Sequence, residues 1–473
     1  MKDLLAAARR RAAERDFPAA VQILGGLLQA HPGNREVLLE LSRLSGRMGN
    51  GQDALTLLQL ARQAHPDDCE LALEQAGALE RLGRIGEARA ILDGLATDRP
   101  DDPTPLLRLS YFLRRRNEHG DAERICRRLV ADHPRFAMGW VSHGISDHIA
   151  GRVEAAEGCF RQALSLDTND PVAHVARATN LLAMGRWEQG FAEFGWRRRL
   201  PDAPPAPGGL PAWQGTEPAG TPVILWNDQG FGDAMQFLRY LPQVAARGCR
   251  PILVLAKELV RLARTLPGVG PVVPAGSPLP AADRQLPLCD LPHVLHRTEP
   301  ADSWAGPYLS PDRPPAFENT GRRRVGVAWA GSPLHENDAN RSASLADLAP
   351  LLDLPRIDWI SLQIGPRAAD IGGTPWAGRL ADMSPDITDF ADTAAIISGL
   401  DLVITVDSAV AHLAGAMGKP TWIMLPRRAD WRWLRDGTTT AWYPSARLFR
   451  QRGEAGWPPV AADLAKALEE FYA

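Results

Sequence analysis

The chain has 473 residues, of which 45% are hydrophobic and 23% are charged, and its formal net charge is −3. At roughly 150 residues per domain this length predicts about three globular domains. The small net charge gives no bulk electrostatic reason to bind nucleic acid. Four runs of arginine do occur, and we interpret them as solvated faces; they lie at residues 9–11, 114–116, 197–199 and 322–324.

The cysteines and the N-terminus narrow the class of protein further. No C-x-x-C pair occurs, which argues against a zinc ribbon and against a disulfide framework; the cysteines are Cys69, Cys126, Cys159, Cys249 and Cys289. Cys126 and Cys159 fall at apolar helical positions, where small core residues are expected. The first residues, MKDLLAAARRRAAERDF, carry charges throughout and lack the apolar region of a secretory signal. No apolar run approaches the about 18 residues of a membrane helix, so we expect a soluble, cytoplasmic protein.

The first 200 residues repeat with a period of 34. Three marker positions recur at this step: an alanine at Ala20, Ala54, Ala88, Ala122 and Ala156; a proline at Pro32, Pro66, Pro100 and Pro134; and a small residue at Ser42, Ala76, Ser110, Gly144 and Ala178. This period is the tetratricopeptide signature, in which each unit is a pair of antiparallel helices. Small residues are needed where the two helices cross closely, and proline closes the second helix because it cannot continue one.

The repeat pattern weakens towards residue 200. In the sixth unit Gly190 replaces the alanine, and degenerate end repeats are expected where a unit meets something other than another repeat. We therefore predict a helical solenoid of about five to six repeats over residues 1–200, the last of which meets the next domain. Such repeats form a groove for a protein or peptide; the alternatives are a purely structural role or self-association into a homo-oligomer.

Residues 201–221 are rich in proline and glycine and are predicted to be a linker or a wrapping segment. From residue 222 the sequence pattern predicts strands that alternate with helices. Short apolar strands at 223–226 and 251–256 are each followed by a helical segment, and VGPVV follows the second one. Strands and helices that alternate with short connections predict a parallel sheet, here over residues 222–318.

Residues 319–473 are predicted to form a second lobe of the same kind. Its strands are expected at 325–330, 359–363, 402–406 and 422–425, with helices near 389–400 and 460–471. The whole chain thus reads as an α-helical tetratricopeptide solenoid followed by an α/β domain of two Rossmann-like lobes. Two such lobes, whose strand ends face one cleft, fit the GT-B architecture.

One candidate motif lies in the first lobe, between its first strand and helix. Gly230-Phe231-Gly232-Asp233 provides glycines that let the backbone turn tightly and approach a ligand. Asp233 is a candidate general base that takes a proton from an acceptor hydroxyl. An aspartate that only caps the helix is the structural alternative.

The second lobe offers two further polar positions at strand ends. Arg341, in the loop after the first strand, is the candidate cation for a phosphate group because a guanidinium can bind it bidentately. A surface arginine without a ligand is the alternative. Gln363 ends the next strand and could read a base or ribose, or else hydrogen-bond its own loop. Ser344 and Asp347 have the spacing of a capping box and are predicted to be structural.

The run LVITVDSAVAHLAGAMGKPTWIMLP, residues 402–426, predicts a tight β-α-β unit. Asp407 and Ser408 follow the strand, where free amides and the helix dipole favour a phosphate-bearing ligand. Ser408, the backbone amides of Ala409 and Val410, and His412 suit a diphosphate, and Asp407 shapes the turn. A histidine that only packs or caps is the structural alternative for His412. No D-x-D triplet and no G-K-[ST] loop occurs in the sequence, which disfavours a metal-dependent GT-A site and a P-loop.

Three blocks together resemble the heptosyltransferase-like glycosyltransferases of family 9, particularly bacterial fusions of such a domain with tetratricopeptide repeats. They are DQGFGDAMQFLRYLP, WAGSPLHENDANRS, and the long block from residue 389 to 426 with the following DWRWLRDG and WYPSARLFRQ. The resemblance implies inverting, metal-independent transfer from a nucleotide-diphosphate sugar, with no cofactor. It places Asp233 as the base. It implies that Asp407, Ser408 and His412 hold the donor diphosphate. From the residues themselves we add five positions to the donor side: Gly230, Gly232, Arg341, Gln363 and Ala409.

The resemblance also implies a protein acceptor, since repeat-fused relatives are associated with protein O-glycosylation, including that of flagellin. Two other readings remain open. One is a repeat scaffold whose transferase lobe is inactive, and the other is an enzyme that acts on a glycan or lipid acceptor or turns over the sugar nucleotide alone. The segment Trp431–Trp433 either lines the acceptor entrance or is buried against the second lobe.

Overall fold

The computed structural model describes residues 1–315, 317, 321–335, 337–453 and 455–472. They divide into two compact units, Met1–Ala173 and His174–Ala473. The division predicted from the sequence lies at residue 200, because it was placed at the end of the repeat pattern. The predicted boundary between the lobes, at residues 318 and 319, lies outside the described residues. Among the helices described, none is long and apolar enough to cross a membrane.

The first part of the chain is helical, as the 34-residue period predicts. Each proline marker lies two residues beyond the end of a helix, where it prevents continuation. Asp16, Asn34, Asp68 and Asp102 cap the helices that follow them with their side-chain oxygens. The helices are α1 (Lys2–Ala13), α2 (Phe17–Ala30), α3 (Arg35–Arg47), α4 (Gly51–Ala64), α5 (Cys69–Arg81), α6 (Ile85–Asp98), α7 (Pro103–Arg115), α8 (His119–Asp132), α9 (Ala137–Ala150), α10 (Val153–Leu166), α11 (Pro171–Ala183) and α12 (Trp187–Phe194).

The small residues stand where paired helices touch. The marker alanines of α2, α4, α6, α8 and α10 are all buried. In the fifth repeat a Cβ added to Gly144 of α9 would lie 2.6 Å from Cε1 of Phe160 on α10. Phe160 is 1% exposed and cannot swing away. The small-residue rule inferred from the sequence is therefore a steric requirement of this helix pair.

Replacing Gly144 by alanine should destabilise the protein although alanine favours helices. We expect Gly144→Ala to lower the unfolding free energy by ~1–3 kcal/mol, because the added methyl overpacks against Phe160. Gly158→Ala is the matched control, since nothing lies within 4 Å of a Cβ at that position in α10. It should raise stability by up to ~1 kcal/mol through helix propensity. Thermal and denaturant unfolding followed by circular dichroism measure both, and equal effects of the two changes would contradict the steric explanation.

Residues 201–221 wrap along the first sheet instead of spanning open solvent. The Trp213 amide donates to the Gln285 carbonyl oxygen at 2.9 Å, and the Gln285 amide donates to Pro211 at 3.0 Å. The side chain of Trp213 is fully buried. Of the two forms that the sequence allowed, the structure has the wrapping segment.

The first lobe is a parallel sheet with the strand order β3-β2-β1-β4. Its strands are β1 (Pro222–Trp226), β2 (Arg250–Leu255), β3 (Val272–Pro274) and β4 (Arg284–Pro287), and its helices are α13 (Phe231–Phe237), α14 (Leu241–Ala246), α15 (Lys257–Ala263) and α16 (Leu291–Val294). The long helix expected after β1 is broken by a 3-10 turn between α13 and α14, where Pro242 enters the helix. The strand β4 was not predicted.

The described residues of the second lobe form another parallel sheet, in the order β10-β9-β8-β5-β6-β7. Its elements are β5 (Arg323–Ala328), α17 (Asp338–Arg341), α18 (Ala349–Leu352), β6 (Ile357–Ser361), β7 (Leu380–Asp382), α19 (Phe390–Ser398), β8 (Leu402–Val406), α20 (Ala409–Ala416), β9 (Thr421–Leu425), β10 (Ala446–Arg450) and α21 (Pro458–Tyr472). The two edge strands, β7 and β10, were not predicted. Ser344 and Asp347 do form the expected capping box.

One arginine run does not form the solvated face that we expected. Arg197 is 5% exposed and pairs with Asp228 at 2.8 Å and with Asp290 at 2.5 Å. Burial raises the pKa of Asp228 even though Arg197 opposes that shift. The interpretation of residues 197–199 as a solvated face is wrong for Arg197, because two carboxylates from distant segments bind it. The neighbouring arginines in the sequence give no sign of these partners.

The sixth repeat packs on the α/β lobes, as predicted from its degenerate sequence. Trp187, Phe191 and Phe194 of α12 make edge contacts with Trp431, and the first two also reach Trp442. These rings belong to an apolar core that includes side chains of both lobes. This shared core fixes the two sheets relative to each other.

Candidate active site

The predicted site residues all follow the carboxyl ends of strands. Gly230, Gly232 and Asp233 come after β1, and Arg341 comes after β5. Gln363 follows β6, and the segment from Asp407 to His412 follows β8. Carboxyl ends of parallel strands share one edge of a sheet, which is where ligands of such sheets bind.

The glycine motif of the first lobe touches the histidine motif of the second. A Cβ added to Gly232 would lie 2.5 Å from Cδ2 of His412. The His412 ring is 6% exposed, its Nδ1 lies 2.9 Å from the Tyr443 hydroxyl, and it stacks on Trp433 with centroids 5.4 Å apart. Because the ring is held on both sides, only glycine fits at position 232. The two motifs, which are far apart in sequence, therefore lie in contact where the lobes meet.

His412 is uncharged in this environment. Burial, together with the nearby positive charges of Arg432, Arg239 and Arg341, holds the pKa of His412 well below its usual value. A neutral imidazole can offer a ligand a hydrogen bond but no positive charge. Any anion bound here must therefore find its positive charge on arginine.

Asp233 is held by both lobes. Its Oδ2 accepts a hydrogen bond from the Gly230 amide at 2.9 Å. Asp233 is the third residue of α13, and Gly230 takes the N-cap position that the structural alternative gave to Asp233. Its Oδ1 accepts a hydrogen bond from Arg432 of the second lobe. The same guanidinium donates to Gln236 Oε1 at 2.6 Å and to Asp430 Oδ1 at 2.8 Å. Arg432 thus joins the candidate base to the segment that follows β9.

Asp407 lies at the centre of a second charged group. It is 9% exposed, and its carbonyl oxygen accepts a hydrogen bond from Arg341 Nη1 at 3.2 Å. Arg341 in turn lies against Gly331, where a Cβ would be 2.5 Å from the guanidinium. Burial and the neighbouring charge of Asp430 raise the pKa of Asp407 to about 6, although Arg341 and Arg432 oppose this shift. A carboxyl in this state exchanges protons near physiological pH.

The remaining predicted residues are arranged less specifically. Ser408 stands at the start of α20 with its Oγ 3.1 Å from Thr405 Oγ1, and Ala409 is the first residue of that helix. Gln363 accepts hydrogen bonds from the Trp329 and Ala330 amides at 3.1 and 2.9 Å and donates to the Ile364 carbonyl oxygen. These bonds match the alternative in which Gln363 holds its own loop. Donor contacts for all three residues stay predictions.

Sequence reasoning missed the residues that complete this site. Arg432 donates to Asp233 and also to Asp430. The Tyr443 hydroxyl contacts His412. Arg239 lies buried among four aromatic rings, which belong to Trp304, Tyr308, Trp442 and Tyr443. The signal was present, since DWRW and WYP stand in the blocks that carry the family resemblance. Trp431 and Trp433 are buried, as the second of the two readings expected.

Two parts of the chain match protein-family models. Residues 11–77 match the tetratricopeptide repeat, and residues 385–424 match glycosyltransferase family 9 (heptosyltransferase). The second match contains α19, β8 and α20, and so includes Asp407 and His412, whereas Asp233 lies outside it.

A curated relative spans both parts. The chain is 29% identical over 383 residues to Protein FlbA of Caulobacter vibrioides, an alignment that covers 72% of this chain and 62% of that protein. The chain therefore spans less than two thirds of the length of this relative. Together the matches support a fusion of tetratricopeptide repeats with a glycosyltransferase family 9 module.

Solved structures with similar chains include two repeat proteins. TTC0263, a thermophilic repeat protein of Thermus thermophilus, is 22% identical, with a TM-score of 0.31 over 36% of this chain and 92% of that one. A tetratricopeptide repeat protein of Parabacteroides merdae is 18% identical, with a TM-score of 0.33 over 43% of this chain and 80% of that one.

The raised pKa of Asp407 predicts a specific pH dependence of stability. Its pKa is about 6 in the folded protein and 3.8 as an ordinary aspartate, so the folded state holds the proton more tightly. The stability that the protonated Asp407 carboxyl contributes to the folded state is fully present below pH 3.8 and is lost as pH rises through about 6. We expect Asp407→Asn to remove this loss, which amounts to up to ~3 kcal/mol. Denaturant unfolding between pH 4 and 7 measures it, with the exposed Asp436→Asn as control. Parallel pH profiles for wild type and Asp407→Asn would contradict the assignment.

Removing the Arg432 guanidinium should leave several buried polar groups without a partner. We expect Arg432→Met to lower the unfolding free energy by ~3–5 kcal/mol. Arg435→Met, at an exposed position of the same segment, should change it by no more than ~0.5 kcal/mol. In the double variant that also carries Asp233→Asn, the loss of unfolding free energy should differ by ~0.5–3 kcal/mol from the sum of the two single losses. Simple additivity would mean that the ion pair between the lobes contributes nothing.

Proposed function

We propose that this protein is a GT-B glycosyltransferase that moves a sugar from a nucleotide-diphosphate sugar to a hydroxyl of a protein in the cytoplasm. The single observation that carries the proposal is the contact between Gly232 and His412. This contact joins the glycine turn after β1 of the first sheet to the turn after β8 of the second sheet, where backbone amides and the helix dipole favour a phosphate group. The family 9 match over residues 385–424 supports glycosyl transfer as the reaction class.

Asp233 is the proposed general base. In an inverting, metal-independent reaction the acceptor oxygen bonds to the anomeric carbon while the bond to the donor phosphate breaks. The hydroxyl proton passes to the Asp233 carboxylate. Each carboxylate oxygen accepts one hydrogen bond in the structure, from Gly230 or from Arg432. Since each oxygen has two lone pairs, one remains on each for the proton.

The second lobe is the proposed donor side. Its contacts would come from Arg341, Asp407, Ser408, Ala409, His412 and Gln363, with the backbone of Gly230 and Gly232 closing from the first lobe. Arg341, which touches the backbone of Asp407, supplies the positive charge that neutral His412 lacks. Amides at the start of α20 add hydrogen-bond donors for the leaving diphosphate.

The repeats favour a polypeptide as the acceptor. Residues 11–77 match a repeat whose curved surface commonly binds peptides. Flagellin or another surface protein is the acceptor class that we propose, and self-association through the repeats is proposed as well.

The decisive variant is Asp233→Asn. We expect it to lower transfer about 10²–10⁴-fold, because the amide cannot take the proton, while nucleotide binding stays the same. Asp283→Asn, an exposed aspartate of the same lobe, is the control. Intact masses of candidate acceptors, flagellin first, from cells carrying each version measure transfer, and calorimetry with a panel of nucleotides measures binding.

Each failure has a distinct meaning. Unchanged transfer by Asp233→Asn would refute the base assignment. A cleft that binds no nucleotide would support the scaffold reading. An unchanged protein glycan profile, with nucleotide binding intact, would favour a glycan or lipid acceptor.

A further inference from the structure

The fifth repeat contains a group of metal-ligand side chains that the proposed reaction does not use. His143 and Asp147 stand four residues apart on α9, which places them on one face of that helix. Cys159 faces them from α10, and one potential ligand atom of each residue lies within 4.8 Å of the other two. Imidazole nitrogen, carboxylate oxygen and thiolate sulfur are the three ligand types that zinc takes in proteins.

The spacing is close to that of a tetrahedral site. Cys159 Sγ lies 3.8 Å from His143 Nδ1 and 3.8 Å from Asp147 Oδ2, and His143 Nε2 lies 3.7 Å from Asp147 Oδ2. Zinc–ligand bonds of ~2.0–2.3 Å place ligand atoms about 3.3–3.6 Å apart. The two contacts of His143 use different ring nitrogens, whereas a zinc ion would bind only one of them. Binding therefore requires a rotation of the His143 ring. That side chain is 17% exposed and borders solvent.

The surroundings orient the carboxylate towards the other two groups. Arg152 binds Asp147 Oδ1, with Nε at 2.8 Å and Nη2 at 2.7 Å, and Nη2 also reaches Glu123 at 2.8 Å. Asp147 Oδ2 is thereby left facing His143 and Cys159. Ligating carboxylates in metal sites are held by outer hydrogen bonds of this kind.

We propose that His143, Asp147 and Cys159 bind one divalent ion of the Zn²⁺ class, with water as the fourth ligand on the solvent side. A dication balances the charge of the Cys159 thiolate, which is otherwise costly to bury beside the Asp147 carboxylate. Binding releases the Cys159 thiol proton to solvent. Because a proton is released on binding, affinity rises with pH. The ion links α9 to α10 and so stabilises the fifth repeat, independently of any transferase activity.

The chain offers a matched control for the cysteine. Cys126 on α8 is buried like Cys159, but its sulfur lies 3.4 Å from the hydroxyls of Ser142 and Ser146. Uncharged hydroxyls are not among the usual zinc ligands. Cys126→Ser therefore removes a buried thiol without touching the proposed site.

The test uses the full chain without a histidine tag, stripped with a chelator and titrated with Zn²⁺ against a chromophoric competitor. We expect one tight site per chain, and Co²⁺ in its place should give thiolate-to-cobalt absorption. Cys159→Ser and His143→Gln should each weaken binding by more than about tenfold, whereas Cys126→Ser should not. Saturating Zn²⁺ should raise the melting temperature of wild type and of Cys126→Ser only.

His143→Gln guards against a cysteine variant that fails to fold, because residue 143 is only half-buried. The proposal is overturned if wild type binds no zinc tightly. It is equally overturned if the zinc affinity and melting shift persist in both Cys159→Ser and His143→Gln. In either case the three side chains form a hydrogen-bonded cluster only.

Discussion

The guanidinium of Arg432 is the interaction on which the arrangement of the candidate site depends. It is 7% exposed and donates to Asp233 and Gln236 of α13 and to Asp430 of its own segment. A buried cation is costly unless its hydrogen bonds are satisfied, so these three partners must stay together. Two of them belong to the first lobe and one to the second. The position of the carboxylate at residue 233 is consequently set by how the lobes meet.

The charge states of the other groups in the site are set by burial and by neighbouring charges. Burial, together with the nearby charges of three arginines, lowers the pKa of His412 and keeps its imidazole neutral; they are Arg432, Arg239 and Arg341. Burial and Asp430 leave Asp407 ready to take up a proton near pH 6. The site therefore concentrates positive charge on arginine, which stays charged at any physiological pH. This distribution suits an anionic leaving group, since the cations do not lose their charge when the carboxyls or the histidine titrate.

How much of this could be read from sequence depends on the range of each interaction. The repeats were predictable because Ala20, Pro32 and their counterparts act within a single 34-residue unit. The strands β1, β5, β8 and β9 were predictable because they are apolar runs. The short edge strands β4, β7 and β10 carry mixed residues such as RQLP, whose pairing is decided by a neighbouring strand. Arg197 pairs with carboxylates of distant segments, and Arg432 donates to Asp233 and Gln236 nearly 200 residues away. No local pattern therefore marks these two arginines as buried.

The last repeat shows why a boundary drawn from sequence periodicity differs from a physical one. Helix α12 keeps the repeat pattern, yet Trp187, Phe191 and Phe194 bury their rings against Trp431 and Trp442 of the second lobe. A few residues later Arg197 pairs with Asp228, which stands two residues before Gly230 in the turn that leads to Asp233. The end of the repeat sequence thus supports the turn that carries Asp233 directly. A chain cut at residue 200 would expose those aromatic rings and leave Asp228 buried without its cation, so the sixth repeat is part of the α/β unit in energetic terms.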